Sequence, residues 1–182
     1  MYSLRMHLFF VILNYMPQIT VDKKSLTRLC AALVASAYFL YYCCTPMEWH
    51  FIDGVNLLIH EAGHYVFLFF GEFMHILGGS LFQVLFPCVF VIHFYREHDY
   101  FSASLLLFWV GQNLVNVSVY ASDSIVMQLP LLGGDGTIHD WNALLTMTGL
   151  LRYTYVIGHS IYVAGVLVIL LAVYFSITTA FQ

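Results

Sequence analysis

Five stretches of this chain stay apolar for about 20 residues at a time, the length of helix that crosses a hydrocarbon core of about 30 Å. No other feature constrains the fold so tightly. A backbone in lipid must satisfy its own N–H and C=O groups, and long runs without strict alternation do this as helices. The stretches are residues 26–44, stopped by Thr45-Pro46; 51–71; 74–95, ending at Arg96-Glu97-His98-Asp99; 100–120; and 155–177. The expected fold is all-α: a polytopic transmembrane helical bundle of about five spans, with a Gly-rich connection before the last. Residues 1–25 read as a cytoplasmic or interfacial segment. The apolar run 8–16 within them is too short to span, is followed by Pro17, and lacks the small-residue cleavage site of a signal peptide. Residues 26–182 read as one membrane-embedded domain.

Composition excludes two broad classes. With 61% hydrophobic and only 9% charged residues, the chain is not a freely soluble domain, which is about one quarter charged. Six Lys+Arg against ten Asp+Glu cannot build the basic surface that nucleic acid needs, so no nucleic-acid partner is expected. The expected partners are the lipid bilayer and a membrane-protein or peptide substrate. Arg5, Lys23, Lys24 and Arg28 precede the first span, which places the N-terminus in the cytoplasm. Five spans then put Arg152 inside, Arg96 outside and the C-terminus outside. The expected location is a bacterial inner membrane, crossed several times.

The nine histidines carry the chemistry. A bilayer tolerates an ionisable residue only with a partner or a task. His60-Glu61-Ala62-Gly63-His64 is an HExxH motif inside the second apolar stretch. Spacing i, i+4 turns both imidazoles to one helix face, where they can ligate one Zn²⁺. Glu61, turned about 100° from His60, can reach a metal-bound water as general base. Asp53, Asn56 and Gly71 continue the same stripe within about 40° of His60. Asp53 is either a cap of the span or an acceptor supporting a histidine.

A second stripe runs along the fourth stretch: Gln112, Asn113, Asn116, Tyr120 and Asp123 all lie within about 60° of Trp109. Gln112 and Asn113 are expected at the depth of the motif. The stripe reads either as interhelical hydrogen-bonding glue or, through Asn113 and Asn116, as a group that holds substrate or steadies an oxyanion. A catalytic zinc needs a third protein ligand. The candidates are Asp140, His139, Asp135 and Asp123, and a connection folding back from residues 121–154 delivers Asp140 or His139. Gly78-Gly79-Ser80 reads as a close helix crossing; its alternative is a serine peptidase using His159 as base. Cys30, Cys43, Cys44 and Cys88 show no metal-type spacing and read as packing residues.

The motif in a transmembrane helix resembles the site-2 protease-like intramembrane zinc metallopeptidases. The resemblance is close over about 20 residues around the motif and otherwise one of class. It implies His60 and His64 as zinc ligands, Glu61 as base, a later acidic third ligand, and cleavage of membrane-embedded substrates from a cavity near the cytoplasmic side. The family's Asn-Pro-rich helix with its Asp-Gly pair is absent: Asn113 and Asn116 are not followed by proline, and Asp135-Gly136 lies in a loop. The expected function is a zinc-dependent intramembrane peptidase. The alternatives are a non-catalytic metal- or haem-binding membrane protein, and a structural helper with a degenerate site.

Overall fold

A computed structural model describes residues 22–129 and 138–182. The segment before Asp22 and the run Gly133-Gly134-Asp135-Gly136, with the candidate ligand Asp135, lie outside the described residues. Everything regular among the described residues is helical. Helix α1 (Lys23–Cys44) starts where the Asp22 side chain accepts the Ser25 N–H at 2.7 Å and stops at Thr45, just before Pro46. Helix α2 (Phe51–Phe67) is followed by a 3-10 turn, Leu68–Phe70. Helix α3 (Glu72–Arg96) and helix α4 (Tyr100–Ser122) follow. The short helix α5 (Asp140–Met147) precedes α6 (Thr154–Thr179).

Four of these helices, α1, α3, α4 and α6, are long and apolar enough to cross a membrane. The second apolar stretch, expected as a fifth span, forms a shorter α-helix. Its α-helix has 17 residues, about 25 Å of rise. The helix ends because Gly71, at φ +90°, turns the chain back on itself into α3. Its polar face, Asp53, Asn56 and His60, is buried, while Leu58 and Tyr65 on other faces are more than 70% exposed. Among the described residues, its side-chain bonds to other helices fall on Tyr42, on residues 75–83 of α3, on residues 109–116 of α4, and on Asp140.

This changes which ends of the bundle lie together. Ala32 packs with Phe101, and ten residues on Tyr42 packs with Phe108 and Val115, so α1 and α4 run in the same direction. Helix α6 runs against α4: Gly111 meets Gly165, and Gly158 meets Ser122. At both crossings an added Cβ would strike the opposing chain, so glycine sets how closely the two axes approach. Lys24, Arg28, Glu97, His98, Asp99, Thr179 and Gln182 line one cleft. In it, hydrogen bonds from the Ser102 side chain and N–H hold the Asp99 carboxyl below the usual carboxylate range. Arg96, expected across the membrane from Lys23, Lys24 and Arg28, therefore sits at their end of the bundle, and so does the C-terminus. The expected separation of Arg96 and the C-terminus from Lys23, Lys24 and Arg28 is corrected by this packing, because α1 and α4 run the same way.

Candidate metal centre

Helices α2 and α3 approach closely because Gly63 faces Gly78, with no space for a Cβ on either. This close crossing sets Gly79 directly beneath the His60 and His64 rings. Each ring is then held by its Nδ1. The His64 Nδ1–H donates to the His75 carbonyl at 2.8 Å, and His75 Nδ1 returns the bond to the His64 carbonyl at 2.9 Å. His60 Nδ1 lies 3.3 Å from Gln83 Oε1, and both side chains are buried. Each ring, anchored through Nδ1, turns its Nε2 away from that anchor.

Asp140 arrives at those two Nε2 atoms on the first turn of α5. Its N–H donates to the Tyr120 hydroxyl at 3.1 Å. His139 caps the helix by accepting the Asn142 N–H on Nδ1, at 3.3 Å. Trp141 Nε1 donates to Ser80 Oγ at 3.1 Å, and Asn142 Nδ2 to the Ser124 carbonyl at 2.8 Å. These bonds fix the start of α5 to α3 and to the end of α4. Asp140 Oδ2 then stands 2.9 Å from His60 Nε2 and 3.3 Å from His64 Nε2. Burial works to raise the Asp140 carboxyl, but its bonds to His60 and His64 outweigh that and hold it down at about 2.

The donor set fits a cation. Two imidazole nitrogens and a carboxylate oxygen, all within 4.8 Å of one another, converge, and a cation can take the place of the protons they share. A tetrahedral zinc with bonds of about 2.1 Å separates its ligand atoms by about 3.4 Å, and the two carboxylate–imidazole separations here are 2.9 and 3.3 Å. The His75 carbonyl and the Gln83 amide supply the outer acceptors that orient metal-bound histidines. Both histidines come from one helix and aim at one carboxylate, so they do not offer haem the opposed pair of axial ligands.

The other sequence candidates fall elsewhere. Glu61, half-buried beside His60, is near enough for its charge to act on His64 and Tyr120. His139, the alternative to Asp140, is turned away from the group. Its Nε2 is 3.5 Å from Asp123 Oδ2, while Asp123 also accepts the N–H groups of Gln128 and Leu129. Helix geometry explains the choice: adjacent residues at a helix start diverge by about 100°, so only one of the pair can face the histidines. Asn113 bonds its own helix through the Trp109 carbonyl and does not reach the group. Gln112 meets Asn56 and Asp53 rather than the motif. Asn116 and Asp53 touch the histidines only through intermediaries. Ser80 holds Trp141 and His159 stacks on Tyr155, so no serine–histidine pair is assembled. Sequence reasoning passed over Gln83 and His75. The signal for both was their polarity inside an apolar stretch, eight residues apart.

Comparison with known proteins adds no relative: no family model, no curated protein and no solved structure matches this chain.

Proposed function

We propose that the chain is a membrane-embedded zinc metallopeptidase. The observation that carries this reading is the convergence of His60 Nε2, His64 Nε2 and Asp140 Oδ2 beside Glu61. Zinc bound there supplies a Lewis acid that polarises a peptide carbonyl and makes water acidic enough to attack at neutral pH. Glu61 takes the proton released by the attacking water and returns it to the leaving amine as the C–N bond breaks. Tyr120, whose oxygen accepts the Asp140 N–H, keeps its own proton for a second partner and lies on the rim of the same group. A substrate must present an extended segment, because a helical carbonyl is already hydrogen-bonded and shielded.

Glu61→Gln separates catalysis from binding. Purified in detergent, this variant keeps about one zinc per chain and loses peptide hydrolysis by a factor of about 10² or more. A Glu61→Gln protein that still cleaves would remove the proposal.

The placement of the basic residues in the bundle supports an orientation as part of the same proposal. Lys23, Lys24, Arg28 and Arg96 share one end, and Arg152 stands in the connection at the other. The positive-inside bias assigns the first end to the cytoplasm, so the metal group opens towards the opposite compartment. A fluorescent protein fused after Gln182 should fold and fluoresce, whereas alkaline phosphatase at the same place should stay inactive. The reverse pattern would invert the assignment without touching the metal site.

A further inference from the structure

We propose that the two turns beside the metal group are seated in a phospholipid leaflet, against lipid rather than water or protein. The 3-10 turn Leu68–Phe70 follows His64 within about one helical turn. The chain leaving α4 at Asp123 is tied to His139, next to Asp140, by the 3.5 Å approach of Asp123 Oδ2 to His139 Nε2. On these turns Phe69, Phe70, Ile125, Val126 and Met127 are each more than half exposed, and so is Ile138 beside His139. Residues 65–71 and 124–129 contain no charge. At the opposite end of α4 the turn is Glu97-His98-Asp99, with Glu97 and His98 exposed. The two ends are built for different surroundings. Turns in water are made of small polar residues, whereas a large exposed apolar patch marks contact with a membrane or a partner.

The hydrogen bonding favours lipid. Acyl chains offer no acceptor, so a turn among them must satisfy its own N–H groups. Asp123 does this for three successive residues. Its carbonyl accepts the Met127 N–H at 2.7 Å, its Oδ1 the Gln128 N–H at 3.0 Å and its Oδ2 the Leu129 N–H at 2.9 Å. At the other turn the Tyr65 carbonyl meets the Leu68 N–H, and the Gly71 carbonyl meets the His75 N–H at 2.8 Å. The six exposed side chains carry no hydrogen-bond donor, whereas a protein interface makes about one hydrogen bond per 100–200 Å². Met127 shows how strongly apolarity is kept. It holds φ +53°, a conformation that turns ordinarily give to Gly, Asn or Asp, yet the residue there is large and apolar.

Neither turn owes its surroundings to a metal, so the test is made without zinc and stands apart from the peptidase reading. Full-length protein carrying Cys30→Ala, Cys44→Ala and Cys88→Ala, with Cys43 buried, receives a nitroxide at Phe69→Cys or at Val126→Cys. Glu97→Cys is the water-exposed reference. All are placed in nanodiscs of phosphatidylcholine and phosphatidylglycerol, which leave both faces open to water. Spin relaxation by oxygen, which concentrates in lipid, is compared with relaxation by a water-soluble nickel chelate. The oxygen-to-nickel ratio at residues 69 and 126 should exceed that at residue 97 about 10-fold or more. A ratio equal to that at residue 97 would put the turn in water. Weak relaxation by both agents would put it against a second copy or another protein. Either result, at either turn, overturns the proposal; if one labelled variant fails to fold, the other still decides. Lipid-seated turns in a chain that binds no zinc would remove the metallopeptidase reading and leave this one standing.

Discussion

Zinc should fall from about one ion per chain to background in both His60→Ala and Asp140→Asn, while His139→Ser keeps it. Structural zinc sites bind with about 10–16 kcal/mol, so each protein ligand is worth about 3–4 kcal/mol, or about 10²–10³-fold in affinity. Asp140→Asn is the more informative variant. It preserves shape and the helix start, and replaces the carboxylate by an amide whose oxygen is a weaker ligand. His139→Ser keeps a capping oxygen at the start of α5, so Asp140 stays in place. The measurement is metal content by mass spectrometry after detergent purification and exhaustive dialysis. Retention of zinc in Asp140→Asn with loss in His139→Ser would exchange the two residues' roles. A wild type without metal would remove the zinc reading altogether.

Gly79→Ala should abolish zinc binding although it removes no ligand. A Cβ at Gly79 would lie 2.5 Å from His60 Nε2 and 2.7 Å from His64 Nε2, against both nitrogens that face Asp140. Ordinary carbon contacts begin near 3.4 Å, so both rings must move, and the Nδ1 bonds to Gln83 and His75 resist that. Alanine is favoured over glycine in a helix by about 0.5–1 kcal/mol, so α3 itself is not weakened. The loss should therefore appear in metal content, to less than about one tenth of an ion per chain, and not in the thermal unfolding of the metal-free protein. Zinc bound by Gly79→Ala as tightly as by the wild type would show that the cation does not sit between these two nitrogens. Gly78→Ala is the contrasting case: its Cβ would strike Phe67 and the Gly63 backbone, so packing of α2 on α3 is what suffers.

The membrane-spanning character was fully legible, because an apolar run of spanning length has no competing fate in water. The second stretch misled for a specific reason. Hydropathy averages over faces, and a helix with one polar stripe and one turn of aromatics scores as apolar whether or not it crosses. What shortens it is Gly71, whose positive φ reverses the chain, together with polar partners confined to Tyr42, α3, α4 and Asp140. The paired amides of α4 were visible as a stripe, but their direction was not. Gln112 was expected beside the motif, yet it serves Asp53 and Asn56, while Asn116 reaches His60 through Gln83.

Spacing alone determined that His60 and His64 share a face and that Glu61 stands beside them, since a helix repeats every 3.6 residues and these are local consequences. The third member of the group required tertiary structure. Asp140 lies 80 positions beyond His60, and whether it or its neighbour His139 turns inward depends on the phase of an eight-residue helix. That phase is fixed by Tyr120, Ser80 and Ser124, side chains and backbone contributed by α3 and by the end of α4. The same holds for the charged ends of the bundle. Sequence counts the cations, but only the packing of α1 alongside α4 decides that Arg96 joins Lys24 and Arg28 rather than opposing them.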